Sequence, residues 1–471
     1  MSTPDGPILF VSPAPAGLFN PLFAIARELS HRGVTGVCFA CTEDRRADVE
    51  SLSGSTPVQF VSLGTSAISS PADWDEATYA AMARQSKAKS AAAFLSHLAD
   101  FEDFEAMYRR MLAEVERLQP SLMVIDFITA YALDAAMTRE IPFTLSVPHL
   151  PSHLFNMRLP RDYPTPCSGL PRHMTAAQRC ANILFKFRLL GALLGEKPLR
   201  AFVRKRRALG LGNPLFLSAP YCDAAVAIFS YTVFGLEYPF PAAPPKLEML
   251  GAIVPPLPEA EDGDNELSRW LSRHDSIVYI GFGTIMRLDR TQIASILAAI
   301  ARLGPSHQVL WKLPKSQQVL LPRSELPANL RIEHWLPSQL NVLAHPHVRV
   351  FFNHGGGNGV NEGLYFGKPL LVLPFWLDCY DIAVRVTDSG AGLSLQDTQG
   401  IDPDEVVTKL SRLLTDAGFR ERAMYWGQRL REAGGVSAAA DIVVERHRQP
   451  RILESSNPRA SRAIAARAGK I

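Results

Sequence analysis

With 471 residues, 47% of them apolar and 20% charged, the chain is a globular protein long enough for two domains. A net charge of +3 excludes a strongly basic nucleic-acid binder, and no run of about 18 apolar residues is present to span a bilayer. Residues 1–6 hold no basic segment ahead of a long apolar run, so the chain reads as cytoplasmic. The six cysteines do not form the disulfide framework of a small secreted domain, and the twelve histidines show no metal-ligand spacing; no metal site is expected.

Residues 8–11 are a compact apolar run and read as a first strand. A loop follows, and Asn20-Pro21 is expected to open a helix, with Asn20 as N-cap and Pro21 at the first helical position. Leu22, Phe23, Ile25, Ala26 and Leu29 give that helix an apolar face, and Gly33 closes it. A second strand at 36–40 completes a β-α-β unit, which points to a parallel sheet. Cys38 falls on this strand and Cys41 directly after it, and the two read as packing residues, not as a redox pair.

Helical periodicity runs from 77 to 118 and includes Phe94, Phe104 and Met107; most of these residues read as core, a few as lining for an apolar pocket. Residues 122–125 form a strand that ends at Asp126. A carboxylate at the C-terminal end of a parallel strand lies on the ligand side of its sheet, although it can also cap the next helix. Between 179 and 207, nine Lys/Arg and the single acid Glu196 interleave with leucines and phenylalanines. The plainer reading is a helix pair packed on the sheet; the other is peripheral contact with an anionic membrane surface, or a cover over a lipophilic site. Seven prolines between 239 and 258 mark a linker. Strands follow at 276–280, before Gly281-Phe282-Gly283-Thr284, and at 309–313.

The densest stretch is 335–381. An apolar strand at 349–352 feeds His354-Gly355-Gly356-Gly357-Asn358-Gly359, a helix begins, Gly367-Lys368-Pro369 stops it, and 370–373 forms the next strand. A glycine-rich turn at a helix start offers backbone N–H groups and the positive end of the helix dipole to an anion. The spacing is neither the G-x-G-x-x-G of dinucleotide folds nor a P-loop. His354 can donate to a phosphate oxygen, Glu362 can accept from two ribose hydroxyls, Trp335 offers a face to a base, and Asp378 can accept from sugar hydroxyls.

Trp335, Pro337, Gln339, His345-Pro346, His354-Gly355-Gly356, Asn358, Glu362, Gly367, Pro369, Pro374, Trp376 and Asp378 together resemble the nucleotide-sugar signature of the family-one, UDP-dependent glycosyltransferases. Gly359 stands where serine is common in that family, and Cys379 where glutamine usually follows the aspartate. The resemblance implies an α/β GT-B fold, two Rossmann-like domains facing across a cleft. It divides the chain into an acceptor-binding domain at 1–238, a linker at 239–258, a nucleotide-sugar domain at 259–435, a returning helix at 436–450 and a disordered tail at 451–471.

It also implies inverting transfer of a sugar, glucose first, from a UDP-sugar to a lipophilic small-molecule acceptor, with no metal and no further cofactor. Gly283, Thr284, Leu336, Gln339, Gly356, Asn358, Gly359 and Cys379 join the donor site, and Phe19, Phe94 and His149 are candidates for the acceptor pocket. Family members commonly read glycine-histidine-x-asparagine-proline after the first strand, the histidine being the base and an aspartate at the place of Asp126 orienting it. This chain reads Gly17-Leu18-Phe19-Asn20-Pro21. With Leu18 at the base position, Asp126 is expected to act directly, at a raised pKa, on a reasonably acidic acceptor hydroxyl. The alternatives are a phenol, acid or amine acceptor that needs little help, and His149 or His153, for which surface or core roles are the plainer reading. A catalytically silent sugar-nucleotide binder and a GT-B epimerase are the alternatives. The sequence implies no nucleic-acid partner and leaves the oligomeric state open.

Overall fold

The computed structural model describes residues 6–449 apart from 53, 67–73, 212–218, 242, 258–265, 324 and 398. Two all-parallel sheets carry the fold. The first comprises β1 (Ile8–Val11), β2 (Val37–Cys41), β3 (Val58–Ser62), β4 (Leu122–Asp126), β5 (Phe143–Val147), β6 (Ala227–Ser230) and β7 (Leu247–Met249), in the order β3-β2-β1-β4-β5-β6-β7. The second comprises β8 (Ile277–Gly281), β9 (Gln308–Lys312), β10 (Leu330–Glu333), β11 (Val348–Asn353), β12 (Leu370–Val372) and β13 (Gly392–Ser394), in the order β10-β9-β8-β11-β12-β13. The central strands are almost wholly apolar because helices cover both faces of each sheet and bury both rows of side chains, whereas the edge strands β3, β7 and β10 are half-buried.

Both sheets reverse strand order between their first and fourth strands. At such a switch point the connections leave to opposite sides and open a crevice beyond the strand ends. Leu18 follows β1, Phe127 follows β4, Thr284 follows β8 and His354 follows β11, so the two crevices supply the candidate site. The chain is therefore α/β with two Rossmann-like domains.

The returning helix Gly435–Arg448 buries Ala439, Ala440 and Val443 in one cluster with Leu22, Ile25 and Leu29 of helix Ala16–His31. Two local expectations are corrected. Helix Ala16–His31 starts with Pro15 as its N-cap, so Asn20 and Pro21 lie inside it. Proline lacks an N–H and would orphan the carbonyl four residues back. That carbonyl, of Gly17, accepts instead from Asn358 Nδ2 in the second domain at 3.1 Å, which makes the earlier start tolerable. The proline-rich stretch is also more than a linker, because Leu247–Met249 lies between its prolines and pairs in parallel with β6 as an edge strand. The tail at 451–471 and the start of the second domain at 259–265 lie outside the described residues.

Candidate active site

A cavity of about 1190 Å³ opens between the sheets. Its second-domain wall begins at the turn after β11. Gly283 and Gly356 flank the His354 ring so closely that an added Cβ would come 2.7 Å from Cε1 or 2.4 Å from Nε2. Gly283 also has φ +71°, in the left-handed region that favours glycine. His354 Nδ1 is buried without a hydrogen-bond partner, and burial pulls the imidazole down to about 4, so it is neutral near pH 7. Helix Gly357–Tyr365 begins at Gly356 without a side-chain cap, and Gly357, Asn358 and Gly359 line the cavity beside Thr284. A neutral histidine and an uncapped helix start present donors to an anion.

One turn into that helix, Glu362 Oε2 accepts from Gln339 Nε2 at 2.7 Å, and Gln339 Oε1 accepts from Tyr279 at 2.9 Å. Burial lifts the Glu362 carboxyl to about 7, against the pull of Gln339 and Lys312. Trp335 is 63% exposed and carries the Lys312 ammonium 4.8 Å from its ring centre. Lys312 ends β9 and lines the cavity; its position at a strand end was a signal that the sequence reading passed over.

Trp376, Asp378 and Cys379 line the next part of the wall. Leu377 between them has φ +44°, a strained conformation for leucine that sets the turn. Trp376 is gripped edge-on by first-domain Trp74 at 5.6 Å and Phe94 at 5.3 Å. Burial, opposed by His153 and aided by Asp381, raises the Asp378 carboxyl to about 6.

Leu18, Phe94, Phe104, Met107, Phe127, His149 and Phe202 make the first-domain wall mostly apolar. His149 lies 4.7 Å from the Phe127 ring and is pulled down to about 3 by burial and by His153. Three predicted site residues stand apart from the cavity surface. Phe19 turns into the core against Phe23 and Phe39, and the Leu336 side chain is buried in the second domain. Asp126 has no exposed surface: the wall there is Leu18, Phe127 and Ile128. Its Oδ1 accepts from Ile128 N–H at 3.0 Å, its Oδ2 is buried without a partner, and burial raises it to about 8. The expected rise in pKa is present, and with Asp126 covered by its neighbours an acceptor has no direct path to it in this structure.

The structure adds a pairing that only the tertiary fold creates. His153 Nε2 lies 2.9 Å from Asp381 Oδ2, and both His153 and Cys167 line the cavity. Asp381 also accepts from the backbone N–H groups of Cys167 and Gly169 at 2.5 and 2.7 Å. Burial pushes its carboxyl up, but His153, Arg385 and Gly169 outweigh that and hold it below the usual range. Arg385 is itself paired with buried Glu237 at 2.8 Å, which braces the first domain against helix Cys379–Asp388.

The UDP-glucoronosyl and UDP-glucosyl transferase family profile matches residues 55–431. The chain belongs to that family. Human UDP-glucuronosyltransferase 2A3 is 24% identical over 324 residues, 67% of this chain and 58% of its own length. Mouse 2-hydroxyacylsphingosine 1-beta-galactosyltransferase is 30% identical over 198 residues, 41% of this chain and 34% of its own length. The chain thus spans 58% of the first of these relatives and 34% of the second. Among solved structures, the glycotransferase of kitacinnamycin aligns with a TM-score of 0.68 at 21% identity, over 94% of this chain and 99% of that one. A UDP-glucose: anthocyanidin 3-O-glucosyltransferase in complex with UDP aligns at 0.64, also at 21% identity, over the same shares. These likenesses carry the GT-B fold.

Proposed function

We propose that this protein moves a sugar from a UDP-sugar to a lipophilic small-molecule acceptor, inverting the anomeric carbon. The observation that carries the reading is the meeting of an anion-binding turn, a ribose-sized carboxylate and an exposed indole on one wall with an apolar pocket on the other. The diphosphate lies at His354, Thr284 and the N–H groups of Gly357 to Gly359, the ribose at Glu362 and the base on Trp335. The acceptor oxygen attacks the anomeric carbon in line as its bond to the diphosphate breaks. Charge growing on the departing diphosphate is met by donors already in place, with no metal assigned to the step. Glucose is the first donor to test, since glucosyl transfer is part of the matched family's name.

His153 is the base in this scheme and Asp381 its positioning residue. An ionised carboxylate only accepts, so His153 Nε2 carries the hydrogen and Nδ1 keeps a lone pair for the acceptor proton. What supports His153 over Asp126 is access: it lines the cavity with its side chain 13% exposed.

Turnover read by mass spectrometry, with UDP-glucose, UDP-glucuronic acid and UDP-galactose against phenols, sterols, amines and acids, tests the proposal. Glucosylated product is expected, and His153→Asn should lower kcat by roughly 10²–10⁴-fold with UDP affinity unchanged. UDP binding without turnover of any acceptor, with activity appearing only in Leu18→His, would favour a silent binder.

A further inference from the structure

Helix Ala176–Gly195 is capped at its start by the reciprocal pair Thr175 and Gln178, and is anchored at one buried point, Asn182. Asn182 Oδ1 accepts from Thr165 N–H at 2.9 Å and its Nδ2 donates to Tyr163 O at 3.0 Å, so the helix is fixed on the body of the first domain. Its outer face is apolar. Ile183, Phe187, Leu190 and Leu194 follow i, i+4, i+7, i+11 spacing and are 55%, 68%, 52% and 60% exposed, with Leu184 beside them at 48%. Such a contiguous stripe is unusual on a water-facing helix.

The charge on this helix and the next is mainly positive, with exposed Asp162 near Arg179 as an acid beside them. Arg179, Lys186 and Arg188 are exposed on the same helix, five more Lys/Arg are exposed on helix Lys197–Ala208, and Glu196 is the single acid in the sequence from 176 to 208. An apolar stripe set among cations fits a surface that is anionic outside and hydrocarbon beneath, which describes a bilayer containing acidic lipids. Among the described residues no helix is long and apolar enough to cross a membrane, so this one would lie in the interface plane.

We propose that the outer face of helix Ala176–Gly195 docks the protein on an anionic lipid bilayer, with Phe187 and Leu190 inserted below the headgroups. The position favours delivery of acceptor. Helix Lys87–His97 packs directly beneath and contributes Ala91 and Phe94 to the cavity, and Phe202 of helix Lys197–Ala208 lines it too. Acceptors that partition into lipid are then the substrate class, a corollary that rests on the transferase reading; the docking itself does not.

Vesicle co-sedimentation tests the docking without any turnover. The wild-type protein should pellet with phosphatidylcholine vesicles containing phosphatidylserine, and far less with phosphatidylcholine alone or in high salt. Phe187→Asp with Leu190→Asp should lose at least about tenfold in partition, and Arg179→Gln with Arg188→Gln roughly 25-fold, about fivefold per charge. These side chains are exposed, so UDP affinity and the circular dichroism spectrum should not change. Failure of the wild type to bind acidic vesicles overturns the proposal, as does unchanged binding by the aspartate variant. So does a wild-type dimer in sedimentation that the aspartate variant splits, since the stripe would then be covered by a second copy.

Discussion

Replacing Asp126 by asparagine separates a sealed structural acid from a working base. The carboxyl rises from 3.8 to about 8 on burial. A carboxyl whose folded pKa is raised binds its proton more tightly in the folded state, so its contribution is fully present below about pH 4 and is lost as pH climbs towards 8. The slope is about 1.4 kcal/mol per pH unit, which gives about 4 kcal/mol by pH 7 as an upper bound, because any opening of the site lets water reach the carboxylate. Asparagine keeps the oxygen that accepts from Ile128 N–H and resembles the protonated acid, without the titration. Urea unfolding of both proteins across pH 5 to 8 should show Asp126→Asn gaining on the wild type as pH rises, while other titrations cancel in the difference. The variant should also keep kcat within a few-fold. A difference that stays flat with pH, or a variant that is less stable at pH 8, would refute the buried-acid account. A large loss of kcat with UDP binding intact would restore Asp126 as the base.

Two further outcomes concern the donor wall. With the ribose at Glu362 as proposed, its hydroxyls would donate to the ionised carboxylate, and a pKa of about 7 means that UDP binding near neutrality should release a proton; affinity should fall by up to about tenfold per pH unit below 7. Calorimetry in two buffers of different protonation heat checks this, and Glu362→Gln should abolish the proton release. Gly356→Ala places a methyl 2.4 Å from His354 Nε2 at an ordinary backbone φ of −67°. It should cost at least about tenfold in UDP affinity through the displaced imidazole, while the melting temperature moves by only a few degrees.

Most of the proposed donor wall could be read from the sequence because its parts are contiguous. A strand, a glycine turn, a helix and a second strand between Trp335 and Asp378 bring Trp335, Gln339, His354, Glu362, Trp376 and Asp378 to one cavity. What escaped depends on distant partners. His153 and Asp381 are 228 positions apart, and the donor that rescues the carbonyl orphaned by Pro21 is 341 positions away, so no local rule finds either. Asp126 was placed correctly at a strand end, yet a one-dimensional pattern does not say whether the residues beside it cover it. The edge strand β7 was hidden by the prolines that flank it, since composition was read over the whole stretch and not over the proline-free run inside it.

The claim on which the rest depends is that Glu362 holds the ribose of a UDP-sugar. Titration calorimetry of UDP against dTDP tests it directly, because dTDP lacks the 2′-hydroxyl. A lost hydrogen bond to a charged group predicts UDP tighter by about ten- to hundredfold, and Glu362→Ala should bring the two ligands together. Equal affinity of the wild-type protein for UDP and dTDP would contradict the claim.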